Sequence, residues 1–169
     1  MAFRFAIHQP EHAATRFGWR LFDWQSTPLE SVCEFLQRDF QGVFELEDFE
    51  PTFDYGVAAV GGAINRRFGT VYVHEYFPVD AAVGTVTLSS IAQHYPAARR
   101  KFERLATDFR RLLTVPGPYL YTLSHPTYPD AATLDRLIGL LSAHSPDHRF
   151  KLLVVGREGH DSDLSSLGI

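Results

Sequence analysis

The sequence predicts an α/β fold: a mostly parallel central sheet with helices on both faces, plus an antiparallel hairpin. Two apolar runs carry this reading, "YLYTL" (residues 119–123) and "FKLLVVG" (residues 150–156). An amphipathic helix pattern lies between them, so the three segments read as a βαβ unit whose right-handed crossover sets its strands parallel. A third run, "FRFAI" (residues 3–7), ends at His8-Gln9-Pro10 and supplies another inner strand. Continuous apolar strands of this kind need helices on both sides.

Each element has its own signal. Residues 11–16 fit a short helix before Gly18. Thr27-Pro28-Leu29-Glu30 reads as a helix start, with Thr27 as cap, Pro28 in the first helical position and Glu30 completing a capping box. Leu29, Val32, Cys33, Leu36 and Phe40 follow at helical spacing, opposite Glu30, Glu34, Gln37 and Arg38. Cys33, the chain's one cysteine, therefore sits on an apolar stripe inside a helix, where a small buried hydrophobe belongs; a reactive thiol prefers a first turn or a basic, part-exposed pocket. "GVAAVGGAIN" and "GTVYVHEYF" predict a hairpin turning at residues 65–69. Residues 77–96 read as loop with a short helix. Pro96 opens a long helix with Phe102, Leu105, Phe109 and Leu112 or Leu113 inward, and "VPGP" stops it. Pro129-Asp130 starts the crossover helix, with Leu134, Leu137, Ile138 and Leu141 inward. The polar tail from about residue 160 is expected to fray.

Composition bounds the function. A length of 169 residues, with 45% apolar and 21% charged, fits one domain over 1–169. A net charge of −4 argues against non-specific binding to nucleic acid or anionic lipid. A single cysteine makes no internal disulfide, and the chain shows neither a signal peptide nor a membrane span, so a cytoplasmic location is expected. Six basic residues of the long helix, Arg99, Arg100, Lys101, Arg104, Arg110 and Arg111, are interrupted by Glu103 and Asp108 and read as a solvated face.

Ligands of open parallel sheets sit beyond the carboxyl ends of the strands. Those ends carry His8-Gln9, Ser124-His125, and Arg157-Glu158 with His160-Asp161. Loop tips are polar in any case, so the convergence is a pointer only. His8 and His12 stand four apart, but Pro10 between them opposes a metal-binding helix, and no metal or cofactor is expected. Ser124 and His125 are sequence neighbours without a nucleophile-elbow glycine pattern. Asp23 between Phe22 and Trp24 reads as an ion-pair partner of Arg16 or Arg20, or as the group orienting an imidazole.

"LFDWQSTPLESVCEFLQRDFQGVF", "AINRRFGTVYVHEYF", "KFERLATDF", "YLYTLSHPTYPDAATLDRLIGLL" and "KLLVVG" together resemble a bacterial domain family of unassigned function described as papain-like cysteine peptidases. The resemblance implies a papain-like α+β fold as the alternative architecture. It also implies a nucleophilic cysteine in the turn after the first strand. There the chain has Pro10-Glu11-His12-Ala13, with proline where the family's cysteine is expected. Cys33 matches the following helix instead, and His74 matches the family's histidine. Such a chain is expected to be a catalytically degenerate relative that binds a small polar ligand or peptide through His8, Gln9, Glu11, His12, Ser124, His125 and Arg157. The alternatives are a hydrolase or transferase with His74 as general acid/base and Asp23 orienting it, and an interaction module completed by a partner protein.

Overall fold

The computed structural model describes residues 21–22, 25–52, 61–73, 76–80, 82–124 and 129–155. Strand β1 (Gln25–Ser26) leads into helix α1 (Leu29–Gln37), followed by a single 3₁₀ turn (Leu46–Asp48) and strands β2 (Phe49–Thr52), β3 (Gly62–Asn65) and β4 (Thr70–Tyr72). Helix α2 (Leu88–Thr114), strand β5 (Gly117–Ser124), helix α3 (Ala131–Ala143) and strand β6 (His148–Val155) complete the order.

The largest sheet among the described residues is antiparallel throughout, ordered β1-β4-β3-β2. The expected mostly parallel central sheet is thereby corrected: among the described residues the one parallel pair is β5–β6. The reason is local. β1 is too short to show any period, and β2 ("FEPT") carries a proline that a central strand excludes and an edge strand tolerates. β2 is indeed at the edge. The hairpin of β3 and β4 follows the sequence expectation, pairing Ala63 with Tyr72 and Asn65 with Thr70. Asn65 holds its turn: its buried amide donates to the Val43 carbonyl and accepts from the Phe68 N–H, both at 3.2 Å. Gly69 supplies the left-handed residue (φ 62°) that closes the turn.

α1 begins one residue later than the sequence suggests. Pro28 occupies the cap with an extended backbone, which leaves Thr27 outside the helix. The buried Thr27 hydroxyl accepts from Gln25 Nε2 (3.1 Å) instead of capping, and Glu30 stays exposed, so no capping box forms. The stripe itself is as expected, with Leu29, Val32, Cys33, Leu36 and Phe40 all buried. After α1 the chain turns through Asp39 and Phe40 at φ 47° and 59°, a conformation costing side-chain-bearing residues about 1–2 kcal/mol each. Arg110 of α2 compensates: Nε bonds Asp39 Oδ1 at 2.7 Å, Nη2 bonds the Asp39 carbonyl, and the guanidinium lies over the Phe40 ring.

α2 starts at Leu88 rather than Pro96. A reciprocal capping box fixes that start, with Ser90 N–H donating to Thr87 Oγ1 (3.0 Å) and Thr87 N–H donating to Ser90 Oγ (2.8 Å). Pro96 lies inside the helix on an exposed face, where water can reach the Ala92 carbonyl that proline leaves without a donor. Phe102, Leu105, Phe109 and Leu113 are buried at the expected spacing. Phe44 is the hub of the aromatic core, stacking on Phe102 at 4.7 Å and meeting Phe49 at 4.7 Å and Tyr72 at 5.1 Å edge-on.

The βαβ unit is as expected. β5 and β6 run parallel in register from Gly117↔His148 to Ser124↔Val155. Asp130 caps α3 through Thr133 N–H (2.9 Å), and hydrogen bonds from Thr133 hold its carboxyl below the usual range. Burial differs from expectation, however. β6 alternates, burying or half-burying His148, Phe150, Leu152 and Val154 while Leu153 and Val155 stay 48% and 45% exposed. A run that reads as buried on both faces is covered on one by the described residues, because α3 packs against α1 and lies over the inner face alone.

Candidate functional site

The parallel register sets the carboxyl ends of β5 and β6 side by side. Ser124 and Val155 are partners in the ladder, so the chain leaves both strands at the same edge of the pair and in the same direction. Of the residues expected there, Ser124 is described through its backbone; His8, Gln9, Glu11, His12, His125 and Arg157 lie outside the described residues. Asp23 and His74 also lie outside them, as do the strand expected at 3–7, the helix at 11–16 and the tail from 160. The structure therefore brings together two strand ends, not the full set of side chains named from sequence.

The thiol is settled by geometry. Cys33 is fully buried between α1 and α3, its Sγ 4.0 Å from the Thr133 carbonyl. Burial pushes the thiol above its ordinary pKa, against a smaller opposing pull from Arg136. A nucleophile must be thiolate and reachable, and Cys33 is neither.

At the opposite, amino end of the parallel pair lies a site that the sequence reading missed. Tyr121 OH and His148 Nε2 stand 2.9 Å apart in the interior, with the imidazole stacked on Tyr119 at 5.0 Å. Burial drives the His148 pKa down and the Tyr121 pKa up, so both rings stay neutral near pH 7 and share a hydrogen bond. Its buried position makes this pair a tie between two strands, since no substrate reaches it. The available signal was the period of β6, which puts His148 on the inner face with Phe150, Leu152 and Val154.

A cleft of about 280 Å³ separates α2 from residues 40–45. Phe40, Phe44, Phe102 and Ala106 form its floor; Arg99, Arg110, Glu45 and Glu103 stand at its rim. Arg99 already holds Glu45 (2.5 Å), Tyr95 OH (2.7 Å) and Glu103 (2.9 Å), and Glu45 above all raises its pKa further. With Arg110 on Asp39, each rim guanidinium is satisfied within the chain. The cleft's polar groups tie the loop to the helix rather than awaiting a ligand. Among the described residues no cluster of His, Cys, Asp and Glu could hold a metal ion, and no helix is long and apolar enough to cross a membrane. Compared with family models, curated proteins and solved structures, the chain matches none.

Proposed function

We propose that the protein is a binding module without thiol chemistry, taking a small polar ligand or peptide at the carboxyl ends of β5 and β6. The observation that supports this reading is the register Ser124↔Val155, which starts the segments bearing His125 and Arg157 from adjacent points. The resemblance to a papain-like family agrees with it. Proline in the family's nucleophile position, and the only thiol enclosed in a helix–helix seam, fit a relative that has lost peptidolysis. A thermal-shift screen of small polar compounds and short peptides tests the reading. A ligand at one hundred times its Kd adds about 2.7 kcal/mol of stability. That gain is expected to vanish in His125→Ala and Arg157→Ala and to persist in Cys33→Ala. A hit unaffected by both strand-end variants would refute the site.

One observation favours a second reading, an acid–base enzyme. β1 and β4 are antiparallel with Gln25 opposite Tyr72. The resemblance implies that the residues flanking that pair in sequence, Asp23 and His74, act as orienting carboxylate and general acid/base. Turnover of activated esters lost in both His74→Ala and Asp23→Asn, yet kept in Cys33→Ala, is the expected signature. Equal rates in all three variants would dismiss it.

A further inference from the structure

Six of the ten described arginines are engaged within the chain. Arg38, Arg66, Arg99 and Arg110 each hold a carboxylate, Arg136 holds the Gln37 side chain, and Arg67 lies over the Phe68 ring. Besides Arg149 of β6, the exceptions are Arg100, Arg104 and Arg111, exposed on α2, whose guanidinium groups have no hydrogen bond or ion pair among the described residues. At about 100° per residue these three fall within an arc of about 40°, spaced about 6 Å and about 10 Å along the axis. The arc lies directly opposite Phe102, Leu105 and Phe109, which bury the other side of the helix and fix its rotation. The arginines are therefore held in a straight, outward row on a packed support.

We propose that this row docks an acidic segment of a partner protein. Arginine's planar fork takes carboxylates in bidentate fashion, and the spacing suits carboxylates one helical turn or two strand residues apart. The row is also narrow: Glu103 lies about 60° to one side and Asp108 about 40° beyond the other edge. Those carboxylates flank the row on both sides and leave a basic strip only one segment wide, too narrow for the two phosphate strands of a nucleic-acid duplex.

Fluorescence polarisation of a labelled poly-aspartate peptide with the full chain tests this. Binding at low salt is expected, weakening as salt rises. Arg100→Gln/Arg104→Gln/Arg111→Gln is expected to weaken it about tenfold and Arg104→Gln alone about two- to threefold. Glutamine keeps the helix propensity of arginine, so circular dichroism should show unchanged helicity. Arg149→Gln/Lys151→Gln, which removes two cations from the β6 face, should bind as the native chain does. Three results would overturn the proposal. The native chain could fail to bind, the β6 control could lose as much as the triple variant, or single-stranded DNA or phosphatidylserine vesicles could bind more tightly than the peptide.

Discussion

The antiparallel sheet and the parallel pair solve the same problem to different extents. In the first, Phe44, Phe49, Tyr72, Tyr76 and Phe77 interlock between β2–β4 and α2, and every one of these rings is buried. In the second, Tyr119, Tyr121 and Leu123 are buried on one face while Leu153 and Val155 remain in solvent on the other. A parallel pair is ordinarily covered on both sides. The contrast teaches where this chain keeps its stability and where it keeps free surface: the aromatic half is closed, and the βαβ half presents an open face and two adjacent strand ends.

That contrast can be broken by mutation, with the largest effect in the closed half. Phe44→Ala removes the ring that touches most of the aromatic core and is expected to cost about 3–5 kcal/mol in urea unfolding. A loss below about 1 kcal/mol would mean that the core is not centred there. Tyr121→Phe tests the join of the parallel pair. It leaves the buried His148 Nε2 without its partner and should cost about 1–3 kcal/mol. The same site gives a pH signature. Because burial lowers the folded pKa of His148, the unfolded chain takes up its proton first as the pH falls below about 6.5. Stability is then complete above that pH and declines below it, a decline that His148→Gln should reduce. The smallest effect belongs to the open face: Leu153→Thr should change stability by no more than about 0.5 kcal/mol. A larger loss would show that something covers that face.

The same two halves differ in how far they can be read without coordinates. Long apolar periods gave α1's buried stripe, the inward face of α2, α3 and the β5–α3–β6 unit, because burial selects residue types over many turns. Within the four-stranded sheet, strand pairing was legible only for the hairpin, where Asn65 and Gly69 mark a turn. β1 and β2 are set by what they pair with, not by their own two or four residues. The early start of α2 hides in a Thr87/Ser90 box, since serine is a weak stand-in for the usual Glu or Gln. At the site, the burial of Cys33 followed from its stripe. His148 escaped notice because it precedes the apolar run whose inner face it shares.

The proline in β2 has a consequence for how the chain behaves when crowded. Pro51 removes a donor from the outer rim of the four-stranded sheet, and Glu50 beside it adds charge, so another copy finds a poor template there. Residues 151–155 of β6 have no such interruption; within the strand, the charges that guard its apolar end are those of Arg149 and Lys151. Cross-β accretion in partly denatured samples should therefore begin on β6, and neutralising those two gatekeepers should hasten it.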